Sequence, residues 1–73
     1  MYLKANAAAI WKRRKELGMT QLQVARKAGI GSMSLTRMEN EKHLVHPFRA
    51  KAVADALECQ VYDLFEEVHK PVS

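Results

Sequence analysis

Residues 20–40 read TQLQVARKAGIGSMSLTRMEN, and their punctuation sets two short helices around a glycine-containing turn. The Thr20 side chain can accept from the backbone N–H three residues on, while Gln23 reaches back to the Thr20 N–H, so the pair forms a capping box. Met19 before the cap and Val24 after it have the spacing of a hydrophobic staple. Gln21, Val24, Ala25 and Ala28 then recur at helical intervals, and Gly29 supplies the left-handed residue that ends a helix without a Cβ penalty. A turn, Gly29-Ile30-Gly31, leads into a second helix expected over Ser32 to Asn40, with Gly31 as a weak cap and Ile30 stapled to Leu35. Leu35 and Met38 face inward; Ser32, Met33, Thr36 and Arg37 are left outside.

The rest of the chain is read outward from that unit. Seventy-three residues bury only roughly 60 to 65% of their unfolded surface, too little to enclose a deep catalytic cavity. Residues 1–73 are expected to form one domain, with its core at about 6–67 and a fraying tail over 68–73. The apolar residues are mostly Ala, Val, Leu, Ile and Met, with no β-branched runs, which is an all-α composition. No nucleophile lies with a base and no carboxylates pair up, so neither an enzyme nor a cofactor is expected.

Cys59 is the only cysteine, which excludes an intrachain disulfide and a multi-cysteine zinc site and fits a reducing cytoplasm. The apolar run from Ala5 to Trp11 is too short to span a bilayer, and its positive charges follow it, so no membrane association is expected. The net charge of +4 conceals an asymmetry. Residues 1–51 carry eleven Lys/Arg against three Glu, while residues 52–73 carry one Lys against five acidic residues. That segregation points to an anionic polymer as the partner of the first half.

A first helix is expected from a cap at Asn6 to Gly18, with Leu3, Ala7, Ile10, Arg14 and Leu17 along its inward stripe. Arg14 interrupts that apolar row, and Glu39 is its best partner, held bidentately where both are partly buried. The alternative is an arginine whose stem packs while its head reaches water. Lys12, Arg13 and Lys15 form a basic flank around Trp11, which either covers the core edge or lies in a protein contact. His43 and His46 lack the further ligands a metal site needs, so no metal is expected. Pro47 suits the first position of a fourth helix whose inward face is Phe48, Ala52, Val53, Ala56 and Leu57. Gln60 with Asp63 caps a short fifth helix, Cys59 and Leu64 match a staple, and Tyr62 and Phe65 supply the last apolar contacts.

Five short helices with this turn placement resemble the lambda-repressor and Cro family of helix-turn-helix proteins over roughly residues 7–65. The carriers are Leu17-Gly18-Met19-Thr20-Gln21, Val24-Ala25, Ala28-Gly29-Ile30, Leu35-Thr36-Arg37-Met38-Glu39-Asn40, Ala56-Leu57 and Asp63-Leu64-Phe65. The sequence departs from the family at Gly31, where a serine or threonine cap is usual, at Glu41 in place of glycine, at Arg13 in place of leucine, and at Gln60 in place of serine.

The resemblance implies a compact five-helix DNA-binding domain in which Ser32, Met33, Thr36 and Arg37 face base edges. Gln21, with Thr20 beside it, would hold the DNA backbone, and Arg14 and Glu39 would form a structural ion pair. Arg26, Lys27 and Lys42 are further phosphate candidates. The family usually acts as a two-fold dimer, and the candidate surfaces here are the Leu44-Val45 loop and Tyr62, Phe65 and Val68. Two functions stay open: a small dimeric repressor of a palindromic operator, acting on double-stranded DNA in the cytoplasm at the nucleoid, or an antitoxin- or coactivator-like module that binds a partner protein.

Overall fold

Asn6 turns a strand into a helix: its side-chain oxygen accepts from the Ala9 N–H at 3.1 Å, and its own N–H donates to the Leu64 carbonyl at 2.8 Å. The computed structural model describes residues 2–40 and 44–68. Along them run β1 (Leu3–Ala5), α1 (Ala7–Glu16), α2 (Gln21–Ala28), α3 (Ser32–Asn40), β2 (Leu44–Val45), α4 (Pro47–Ala56), α5 (Val61–Leu64) and β3 (Phe65–Glu67). The expected Lys42, Glu41 and His43 positions, and the tail beyond Val68, lie outside the described residues.

The five helices fall where the caps and glycines set them. Thr20 and Gln23 close the capping box at the start of α2, and Gly29 ends that helix at φ 71°. Gly18 takes φ 66° just after α1. Pro47 opens α4 as its first residue, and the His46 ring caps it, Nδ1 accepting from the Phe48 N–H at 3.3 Å. At α5 the Asp63 carboxylate accepts from the Gln60 N–H at 3.0 Å. The core gathers Ile10, Val24, Leu35, Met38 and Val53 from four helices, with Leu57 just after α4 and Leu64 from α5, and α2 packs against both α3 and α4.

The helical class holds, with an addition that composition did not announce: a small antiparallel sheet in the order β2-β1-β3. Leu3, expected on the inward stripe of the first helix, sits in the central strand instead, where it is buried. The Leu44-Val45 loop is the edge strand β2. Two dimer candidates are corrected by this pairing, because Val45 and Phe65 are each only 2% exposed and belong to the core. Val68, counted with the fraying tail, donates its N–H to the Tyr2 carbonyl at 3.4 Å.

Phe48 is a further correction. Expected to face inward, it is 83% exposed. The buried residues of α4 are Ala50, Val53, Ala54 and Ala56, followed by Leu57 at its end. Phe48 lies two residues before Ala50, about 200° round the helix, and so points away from the core. Tyr62 is likewise exposed, leaving Phe65 as the contact that closes the core after α5.

Candidate nucleic-acid interface

The geometry of α2 and α3 begins at Arg14, which α1 projects inward. Its Nε donates to Glu39 Oε2 at 2.8 Å and Nη2 donates to Oε1 at 2.9 Å, a bidentate pair. Nη1 donates to the Met19 carbonyl at 2.9 Å, on the segment leading into α2. One guanidinium thereby fixes α1, the entry to α2 and the last turn of α3. Both side chains are nearly buried; such a pair costs desolvation, and its geometry must be good to repay it. Among the described residues no buried side-chain nitrogen or oxygen lacks a partner.

Gln21 extends this network toward the outer face of α3. Its Nε2 donates to Glu39 Oε1 at 3.3 Å, and its Oε1 accepts from the Thr36 hydroxyl at 3.2 Å. The same hydroxyl lies 3.0 Å from the Ser32 carbonyl one turn earlier, so a single proton is shared between two acceptors. The first residue of α2 is thus tied to the middle and the end of α3. One amide proton of Gln21 remains uncommitted, since a primary amide carries two.

The expected readout residues separate into two kinds. Ser32, Met33 and Arg37 are exposed on α3, with Met33 at 68%. Arg37 makes no hydrogen bond or ion pair with any other described residue. Thr36 is half-buried and its hydroxyl proton is spent within the protein. Thr20 is exposed at the start of α2 with its oxygen occupied by the Gln23 N–H at 3.1 Å and its own proton free. Arg26 and Lys27 are exposed in the last turn of α2.

Arg13 leaves the basic flank: its Nε donates to the Leu57 carbonyl at 2.9 Å, at the end of α4, and it also pairs loosely with Glu16 at 3.7 Å. Sequence reading missed this tether and the Thr36 to Gln21 to Glu39 chain. The Ser32 and Thr36 spacing was a usable signal for the back-bond within α3. Nothing local marked Arg13 or Gln21, whose partners lie 44 and 18 positions away.

A capped helix ended by a left-handed glycine, a short turn, and a second helix with a polar and basic outer side together define a helix-turn-helix DNA-binding protein. The helix-turn-helix family pattern matches residues 12–64, and the chain belongs to that family, in its lambda-repressor/Cro-like form. It is accordingly a DNA-binding transcription regulator and not an enzyme.

Among solved structures, the restriction-modification controller protein C.AhdI from Aeromonas hydrophila is similar, with a TM-score of 0.73 and 18% identity over 78% of this chain and 86% of that chain. At that identity the likeness speaks for the fold. No curated protein matches the sequence. Among the described residues no helix is long and apolar enough to cross a membrane, and no three potential metal ligands cluster.

Proposed function

We propose that the chain is a small sequence-specific repressor that binds a palindromic operator as a two-fold dimer, with residues 1–73 as one DNA-binding unit working in the cytoplasm at the nucleoid. The observation that carries this reading is the outer side of α3, where Ser32, Met33 and Arg37 stand exposed on a helix whose inner side is locked to Arg14 through Glu39. In this docking α3 enters the major groove and α2 crosses the backbone. Arg37, unengaged among the described residues, bridges O6 and N7 of a guanine, a contact worth about 1 to 3 kcal/mol of discrimination. Met33 packs on a thymine methyl. Ser32 reads a donor or acceptor, and Thr36 contributes its remaining lone pair and its methyl.

Gln21 donates its spare amide proton to a phosphate from a position the Thr36 and Glu39 bonds already fix, and the positive end of α2 adds to the attraction. Thr20, Arg26, Lys27 and Lys42 supply further backbone contacts. One such domain covers too little DNA for tight specific binding, which favours a dimer on two half-sites.

Selection from random duplexes by gel shift, at two salt concentrations, tests the reading. It expects an enriched two-fold motif; uniform binding that vanishes with salt would replace specific regulation by non-specific association. Arg37→Ala should relax the motif at one position of each half-site. Gln21→Ala should weaken all sequences alike.

A further inference from the structure

The outer face of the small sheet carries what the core and α3 leave unused. Eight large apolar side chains are exposed among the described residues, and four of them, Tyr2, Leu44, Phe48 and Val68, lie on or beside this face. Strand register explains the concentration. Leu3 pairs with Val45 and with Glu67, so the next row outward holds His46, Tyr2 and Val68 side by side. The Tyr2 ring meets the His46 ring edge-on at 6.3 Å, and Phe48 stacks on His46 at 5.1 Å. The result is a continuous ridge, Phe48 to His46 to Tyr2 to Val68, across the sheet and onto the start of α4.

A second row runs parallel to it. Lys4 is flanked by Leu44 on one side and Glu66 on the other, and no ion pair within 4.0 Å joins Lys4 to Glu66. The face therefore offers one positive and one negative group beside an apolar ridge. A face-to-face stack of two identical faces about a two-fold axis that runs along the strands, between β1 and β3, sets each Lys4 against the other copy's Glu66 and each Tyr2 against the other copy's Val68, the self-complementarity that an isologous contact requires.

We infer that this face is the dimer contact, and that its occupant is a second copy of the chain. The inference rests on the dimeric reading above and gives it a location. β1 packs on α4, whereas α3 packs on α1 and α2, so the contact leaves the outer side of α3 open. Aromatic anchors at the middle of a small contact are the side chains on which binding energy concentrates. Of the earlier candidates, Leu44 and Val68 belong to this face; Tyr62 lies on α5, outside it.

Sedimentation equilibrium on the full chain tests the assignment. Tyr2→Glu and Val68→Glu alter exposed side chains, so folding, checked by circular dichroism, should persist while dimer dissociation rises about tenfold or more. Lys4→Glu alone and Glu66→Lys alone should each weaken the dimer, because each creates two like-charge contacts. Mixing those two variants should restore dimers, as both contacts then join unlike charges. A wild-type dimer indifferent to Tyr2→Glu and Val68→Glu, or single charge variants that fail to associate when mixed, would overturn this face and keep the dimeric reading. A wild-type chain that stays monomeric alone and on its selected operator would overturn both.

Discussion

The two helices of the helix-turn-helix differ in how their starts are closed. α2 is fixed by its own ends: Thr20 and Gln23 close its start, and Gly29 closes its finish. α3 begins after Gly31, which has no side chain to offer the first amides, although its carbonyl accepts from Ser34 and Leu35 at 3.1 and 3.4 Å. Its position comes instead from Glu39 and Thr36, which bind Arg14 and Gln21 on other helices. The difference teaches that α3, the helix proposed to read DNA, is placed by tertiary bonds, and that its aim can be lost without touching a residue on its exposed side.

The sharpest way to break the contrast is to remove one half of the ion pair. Arg14→Ala or Glu39→Ala strands a buried charge and should cost about 3 to 5 kcal/mol in urea unfolding, a large share of what a small domain possesses. The double replacement Arg14→Met with Glu39→Leu should recover much of the loss, and a double-mutant cycle with the alanines should show strong coupling. Strictly additive losses would mean that the two side chains do not act as a unit.

Next in size come the local devices of α2. Gly29→Ala forces a Cβ onto φ 71° and should cost about 1 to 2 kcal/mol, although the added carbon meets nothing within 4 Å. Thr20→Ala removes the cap and should cost about 1 kcal/mol. Thermal unfolding followed by circular dichroism resolves both. The smallest effect has the opposite sign. Gly31 has open space at its Cβ and no positive φ, so Gly31→Ser should add roughly 0.5 kcal/mol by supplying a cap and restricting the unfolded chain. Two glycines of one turn would then answer substitution in opposite directions; equal losses at both would erase the distinction between the helices.

What could be read in advance follows the same division. The capping box, Gly29, Pro47 and the apolar spacing of Leu35 and Met38 are local patterns, and each stands where its sequence put it. Arg14 and Glu39 could be matched because a charge inside an apolar row demands an opposite partner. The sheet was hidden because its strands are two or three residues long and separated by tens of positions, too short to show alternation. Phe48 was misplaced because the alanines of α4 fall on two opposite sides of the helix and blur its phase. The family resemblance placed Gln21 at the DNA backbone, and nothing in its neighbourhood disclosed that Thr36 and Glu39 hold it.

The place of β1 between its two partners also bears on how the chain is made. Ala5 pairs with Phe65, sixty positions further on. At roughly 5 to 20 residues per second, the ribosome leaves the central strand waiting about 3 to 12 seconds for that partner. During the wait α1, α2 and α3 can already gather around Arg14 and Glu39, because their contacts span shorter stretches of chain. The central strand thus carries an unpaired edge until synthesis has passed β3, and the speed of translation decides how long that edge stands open to aggregation.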